Sequence, residues 1–436
     1  MHPDEPRELY EGELKRLGGY PDPFQFAGKW NDVLNRVGNS VPPLLMYAIA
    51  EKIGSALTGV PLPLQQKTSY LATLEAAWAQ HRAPRDADAP TVISTFAGCG
   101  GSSLGYSMAG FRELLAVEWD NNAVATFGLN FPEVPVHHGD IAQLSVEAVL
   151  AQTGLQPGKL DVFDGSPPCQ GFSTAGKRVL DDPRNGLFRE YVRLLRGLQP
   201  KVFVMENVSG MVKGKMKLVF AEILRDLKAS GYQVSARLLN AMYFHVPQSR
   251  ERMIFIGVRN DLGRAPSHPK AQRKPYTIRD ALPWITSVYH DSMGNEGQRI
   301  FNVDKEPICT IRVAKGGAQT RFYVESDADI SKYKIGAKWE AMKPGQSIYY
   351  GGRLWKPDID KPCPTITEHG EDVSASSVVH PTEKRKFYSW ELKRLASFPD
   401  DFAMAGTWRD AWSRIGNSVP PLFMRAIAQH IREHLL

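Results

Sequence analysis

The sequence predicts an α/β fold: a doubly wound, mostly parallel sheet with a second, smaller domain. Three observations predict it. Short runs rich in Val, Leu and Phe recur at 91–96, 114–118, 161–164 and 201–205, separated by glycine-rich or helical segments, the alternation expected of βα units. The residues that can carry chemistry stand just after those runs, where open α/β sheets bind ligands. The alternation stops between about 269 and 380, where Pro, Gly, Lys and Tyr are scattered, so that stretch reads as a separate domain of short strands and loops.

The first run opens on Thr95-Phe96-Ala97-Gly98-Cys99-Gly100-Gly101. Glycines at the end of a strand let the backbone turn sharply and approach a ligand closely. Glu118 ends the second run, where an acid accepts hydrogen bonds from ribose hydroxyls, and Trp119 beside it offers a flat face to an adenine ring. Asp140, after Gly139, lies past the next short segment and can receive an adenine amino group. The spacing departs from the Gly-x-Gly-x-x-Gly fingerprint. A plain strand-to-helix turn has similar glycines, but the acid that follows favours a nucleoside cofactor.

The third run leads into Asp164-Gly165-Ser166-Pro167-Pro168-Cys169-Gln170-Gly171. A reduced cysteine is more often a small buried hydrophobe. A loop stiffened by two prolines at a strand end is better suited to fixing a thiol beside a cofactor. A helix is expected over 186–198. The fourth run leads to Glu206-Asn207-Val208, so a thiol and an acid stand on successive strand ends, the pairing of a nucleophile and a general acid. Segments 233–239 and 253–258 read as antiparallel strands. Before the second of them, Gln248-Ser249-Arg250-Glu251-Arg252 puts two arginines on one face of an extended segment. That face suits a substrate carbonyl or phosphates, or forms a solvated edge.

The ends of the chain repeat each other. Residues 7–53 align with 385–431 without a gap at an offset of 378, with 27 of 47 positions identical. Gly38-Asn39-Ser40-Val41-Pro42-Pro43 returns as Gly416-Asn417-Ser418-Val419-Pro420-Pro421. Two distant copies do not make a solenoid. Each reads as a turn followed by a helix that starts on proline. Leu71, Leu74 and Trp78 suggest a helix that ends near the Ala- and Pro-rich stretch at 83–90, a domain boundary. The expected organisation is 1–60 as the duplicate, 61–88 as connector, 89–268 with 381–436 as the main domain, and 269–380 as the smaller one.

Composition excludes several classes. The 436 residues carry a formal charge of +6, which suits a nucleic-acid partner without demanding one. The 4 cysteines have no Cys-x-x-Cys spacing, so neither a zinc site nor a disulfide framework is expected, and no metal is. The start of the chain lacks a signal-peptide core and no apolar run spans a bilayer. No membrane partner is expected, and the expected location is cytoplasmic.

Taken in order, these segments resemble the DNA cytosine-5 methyltransferases of prokaryotic restriction-modification systems. The stretches that carry the resemblance are Phe-Ala-Gly-Cys-Gly-Gly, Glu118-Trp119-Asp120, Gly139-Asp140-Ile141, Pro167-Pro168-Cys169-Gln170, Glu206-Asn207-Val208, Gln-Ser-Arg-Glu-Arg and Gly416-Asn417-Ser418-Val419-Pro420-Pro421. They span 91–258 and 381–436. The resemblance implies a Rossmann-like fold and S-adenosyl-L-methionine as cofactor, held by Phe96, Gly98, Gly100, Glu118, Trp119, Asp140, Ile141 and Pro168, with Asn417 and Ser418 closing the pocket. It implies double-stranded DNA as partner and a base flipped out of the stack. Cys169 adds to C6 of cytosine, protonated Glu206 hydrogen-bonds N3, and Arg252 with Arg250 holds the ring carbonyl. The thiolate must be available near neutral pH.

The middle domain stands where this family has its target-recognition domain. Lys315, Gly316, Gly317, Arg321, Arg353 and Lys356 are candidates there for phosphate or base contacts, and Lys177, Arg178 and Arg184 for a loop closing over DNA. The family carries one Gly-Asn-Ser-Val-Pro-Pro segment and this chain carries two. Chain order assigns the pocket to Asn417, and residues 1–60 are expected to be dispensable. A tRNA cytosine-5 methyltransferase resembles this family in its catalytic segments, but the long insertion between Arg252 and His380 favours duplex DNA. An inactive DNA-binding homologue is disfavoured because both Cys169 and Glu206 are present.

Overall fold

A computed structural model describes residues 11–18, 20, 30–40, 46, 69–168, 183–212, 216–272, 274–282, 310–312, 319–321 and 328–436. These fall into two compact units, with the residues up to 46 in the first and those from 69 onward in the second. The first unit contains helices α1 (Glu11–Leu17) and α2 (Trp30–Asn39).

The second unit opens with helix α3 (Ser69–Arg82). It then follows the predicted alternation: β1 (Thr91–Thr95), α4 (Gly101–Met108), β2 (Arg112–Glu118), α5 (Asn121–Asn130), β3 (Val136–His138), α6 (Val146–Thr153), β4 (Val162–Gly165), α7 (Pro183–Leu198), β5 (Val202–Val208), α8 (Met216–Ala229), β6 (Tyr232–Asn240) and β7 (Glu251–Arg259). The strands form one sheet in the order β3-β2-β1-β4-β5-β7-β6. β1 to β5 run parallel, and β7 is antiparallel to both neighbours.

Strand order reverses between β1 and β4, so the crevice of this open sheet lies between the loops that follow those two strands. These are the glycine loop and the Pro167-Pro168 loop. The predicted runs at 161–164 and 201–205 extend further in the fold, so that Glu206, Asn207 and Val208 are the last three residues of β5.

Alternate residues of the strands feed two cores. Val92, Ala116, Val162, Val204 and Ile256 face one, which also contains Tyr70 of α3, Leu104 of α4 and the C-terminal residues Phe423 and Ile427. Ile93, Leu115, Phe163, Met205 and Phe255 face the other, with Tyr191, Leu194 and Leu195 of α7. The period of two along a strand makes this division, and burial on both faces explains the unbroken apolar runs.

The described residues between 269 and 380 belong to the same compact unit and contain helix α9 (Ile278–Ala281), the two-stranded ribbons β8 (Thr310–Arg312) with β9 (Gln319–Arg321) and β10 (Gln346–Tyr349) with β11 (Arg353–Lys356), and helix α10 (Lys334–Ala341). The chain returns through α11 (Ser389–Leu395), α12 (Trp408–Asn417) and α13 (Pro421–His434). Among the described residues no helix is long and apolar enough to cross a membrane.

Candidate active site

The carboxyl ends of β1, β2 and β3 gather the predicted cofactor residues on one edge. The loop after β1 turns through positive φ at Phe96 (56°), Gly98 (58°) and Gly100 (94°). A side chain at Gly98 would point into open space, whereas one at Gly100 would run into Phe131. The loop is fixed by Glu118, which is 9% exposed. Its Oε2 accepts from the Gly98 N–H at 2.7 Å, and its Oε1 accepts from the N–H groups of Trp119 and Asp120, each at 2.9 Å. Trp119 beside it leaves 78% of its surface exposed, unusual for an indole in a folded chain. Asp140 is exposed and caps a short turn through the Ala142 N–H, while Ile141 is buried. The open cradle at Gly98, a carboxylate and a bare indole fit a nucleoside cofactor.

The ends of β4 and β5 form the other half. Asp164 is buried, and burial pushes its carboxyl up to about 8. The Tyr106 hydroxyl donates to it at 3.2 Å. Pro167 is buried and Pro168 exposed. The Asn207 side chain donates to the Pro167 carbonyl at 2.9 Å, tying the end of β5 to the loop that leads into Cys169. Cys169 itself lies outside the described residues, as do Lys177, Arg178, Lys315, Gly316 and Gly317.

Glu206 is 8% exposed, and its Oε1 lies 2.6 Å from Nε of Arg252. β5 and β7 pair Glu206 with Ile254 and Val208 with Arg252, so the arginine reaches the acid diagonally across the ladder. Arg250 shares its face but has different partners. Its guanidinium is buried, and Nη1 and Nη2 donate to the carbonyls of Ile366 and Gly416, both at 2.8 Å. Burial, with the neighbouring Arg252, lowers its pKa to about 9, so it stays charged at neutral pH. The arginines predicted as a pair thus divide: Arg252 holds the acid, and Arg250 holds two returning segments.

The C-terminal copy lies against the glycine loop. Ser418 Oγ is 3.0 Å from Cys99 Sγ, and Arg414 Nη1 is 3.1 Å from Asp120 Oδ1. Burial pushes the Cys99 thiol up to about 11, so this cysteine is a packed neutral thiol. A Cβ at Gly105 of α4 would lie 2.5 Å from Met424 Cβ and 2.6 Å from the Pro421 carbonyl oxygen. Gly101 and Gly105, one turn apart, therefore let α4 and α13 approach closely. Asn417 stays exposed at the end of α12.

Sequence reading missed three positioning groups: Asn207 on the proline loop, Arg250 on Gly416, and Cys99 against Ser418. Only Asn207 had a local signal, its place beside Glu206. It also misread Lys356. That ammonium is buried, donates to the Trp339 carbonyl at 3.1 Å and sits 3.5 Å over the Trp339 ring, so it packs against Trp339 and is not presented to DNA. Arg353 on the same strand is exposed.

A family model for C-5 cytosine-specific DNA methylases matches residues 1–55 and 90–433. The chain is 34% identical over 352 residues to the type II methyltransferase M1.HphI of Haemophilus parahaemolyticus, covering 78% of this chain and 86% of that protein. It is 34% identical over 382 residues to M.DdeI of Desulfomicrobium norvegicum, covering 78% and 88%. Among solved structures it resembles one described as a DNA modification methyltransferase encoded within an E. coli prophage, with TM-score 0.60, 26% identity, and coverage of 80% and 99%. A DNMT2 structure from Spodoptera frugiperda shares the fold at TM-score 0.53 and 17% identity.

Proposed function

Because the chain belongs to the C-5 cytosine-specific DNA methylase family and is a DNA cytosine-5 methyltransferase, we propose that it methylates C5 of a cytosine flipped out of a specific double-stranded DNA sequence. S-adenosylmethionine, when bound, supplies an electrophilic methyl group. The observation that carries this reading is the shared edge of the parallel strands. Glu118, Trp119 and Asp140 stand beside the loop into Cys169, and Glu206 with Arg252 stands on its other side.

The cofactor residues act by shape and polarity. Trp119 stacks on adenine, Phe96 and Ile141 give apolar walls, and Glu118 and Asp140 take the ribose hydroxyls and the adenine amino group. Gly98 and Gly100 keep the loop low, Pro168 bounds the pocket, and Asn417 and Ser418 close it.

The Cys169 thiolate adds to C6, which breaks the aromaticity of the ring and makes C5 enamine-like. Glu206, with Oε1 held by Arg252, carries a proton to N3 as negative charge develops there. Arg252 positions the ring carbonyl, and Arg250 acts through the segments it holds. C5 would then take the methyl group, with S-adenosylhomocysteine as the leaving group; loss of the C5 proton to a base, return of the N3 proton to Glu206 and elimination of the Cys169 thiolate restore the ring. Residues 269–380 serve as the target-recognition domain, and the enzyme works in the cytoplasm as the modification arm of a restriction-modification system.

The test is a mechanism-based trap. DNA carrying 5-fluorocytosine at the methylated position is expected to form a denaturation-resistant adduct that maps to Cys169, and Cys169→Ser to form none. Wild-type protein that binds DNA yet neither traps nor methylates it overturns the reading.

A further inference from the structure

Asp164 is a buried acid that the reaction described above does not use. It is 2% exposed. It sits where the strand order reverses, between the strand that leads into the glycine loop and the one that leads into the Pro167-Pro168 loop. Its backbone and side chain tie the two together. The Thr95 hydroxyl donates to the Asp164 carbonyl at 3.0 Å, and the Tyr106 hydroxyl of α4 donates to its Oδ1 at 3.2 Å. Gly165 keeps the join close, since a Cβ there would lie 2.4 Å from Thr95 Oγ1 and 2.7 Å from Tyr191 Cε2.

The register puts the same side chain beside the acid of the active site. Asp164 lies opposite Val204 on β5, so Glu206, two residues on, shares its face and is its diagonal neighbour. Arg252 reaches Glu206 from the other side, across β5 and β7. Glu206 therefore stands between a cation and a buried carboxyl. The groups that face Asp164 are Tyr106 and Ser102 from α4, Glu113 from β2, Tyr191 from α7 and Glu206 itself. None of them is a cation. A desolvated carboxyl without a cation, faced by two other acids, keeps its proton. Burial, with those acids, pushes it up to about 8.

We propose that Asp164 is a positioning residue that acts through Glu206: as a neutral acid it leaves Glu206 free to become a carboxylate against Arg252, and as an anion it opposes that step. In the step the Glu206 proton passes to N3 of the base, and the negative charge brought by the attacking thiolate ends on Glu206. A second carboxylate on the same face would repel that charge. The proposal rests on the role given to Glu206 above.

Methyl transfer with enzyme in excess tests it, using S-adenosylmethionine tritiated on its methyl group and genomic DNA from a host lacking the enzyme. Between about pH 7 and 9 the ratio of wild-type to Asp164→Asn rates should fall roughly 10-fold, because the amide cannot ionise. Cys169 and Glu113 are common to both proteins, so the ratio isolates Asp164. Tyr106→Phe removes a hydrogen bond that favours the anion, so its alkaline limb should lie at higher pH than that of wild type. Circular dichroism should show wild type still folded at the upper end of the range. A constant ratio overturns the proposal, as does a wild type that unfolds over this range or a Tyr106→Phe limb that does not move up. Failure of the underlying reading shows separately: Glu206→Gln at the wild-type rate sinks the role of Glu206 and this proposal with it, whereas a constant ratio beside an inactive Glu206→Gln sinks this proposal alone.

Discussion

Helices α2 and α12 share Trp, Asp, Arg, Gly and Asn at corresponding positions, and each runs into Ser. Their surroundings differ. α12 buries Trp408, Ala411, Trp412, Ile415 and Gly416, whereas in α2 only Val33 is buried. The same Gly-Asn-Ser therefore packs on Cys99 and Arg250 in one copy and stands on an exposed helix end in the other. A motif of this kind is not a site by itself. It becomes one through what it meets, here the Cys99 loop, Arg250 and the carbonyls of 366–372. The two copies differ at Trp412 against Leu34, whereas Trp408, equally buried in α12, returns as Trp30.

That contrast breaks first at the tryptophan. Trp412 is fully buried, packs 5.3 Å from Trp408 and donates to Thr367. Trp412→Ala should cost about 3–5 kcal/mol, while Leu34→Ala should stay within about 0.5 kcal/mol. Denaturant unfolding of both variants measures the difference. Equal losses would mean that the two helices are equally embedded.

A second probe uses pH. Glu391 is 1% exposed. Burial alone would raise its pKa, but Arg385, bonded at 2.7 and 2.8 Å, and His380 hold it down to about 2. A depressed carboxylate contributes stability above its unfolded pKa, near 4.5, and loses that contribution as pH falls through its folded value. Wild-type stability should fall between about pH 4.5 and 2, and Glu391→Gln should begin lower and lie flatter over that window. Removing one partner of a buried pair costs up to about 3–5 kcal/mol, and the amide should cost less. An acid limb in Glu391→Gln that matches wild type would show that this carboxylate carries no part of the acid dependence.

Much of the sheet was legible because its strands are buried on both faces, so Val92-Ile93 and Val202-Phe203-Val204 read as unbroken apolar runs. β3 did not read as a strand, being only Val136, His137 and His138. The strand-end residues were legible for the same reason as the sheet: a parallel strand that ends on Glu118, or two residues past Glu206, places its acid on the ligand edge. The division between the two arginines was not legible. Arg250 and Arg252 share a face, but Arg250 bonds Ile366 and Gly416, 116 and 166 residues away along the chain. Lys356 was misread because a lysine on a polar ribbon gives no hint that Trp339 will cover it. The Cys169 assignment rests on sequence, since the described residues stop at Pro168.

The smallest effect separates the copies most cleanly, because it concerns one identical residue. Gly416→Ala puts a methyl group 2.5 Å from the Thr367 carbonyl carbon, and that contact is with backbone, which cannot rotate away. Overpacking of this kind costs about 1–3 kcal/mol. It should also loosen the carbonyl on which Arg250 Nη2 bonds, so cofactor affinity should fall with stability. Gly38→Ala meets open space and should be neutral or stabilising by up to about 1 kcal/mol. If Gly38→Ala destabilises as much as Gly416→Ala, the first copy is packed at this position like the second. If Gly416→Ala is silent, the C-terminal segment does not bear on Thr367. Thermal unfolding with and without cofactor resolves both, since only the Gly416 variant should show a reduced ligand-induced rise in Tm.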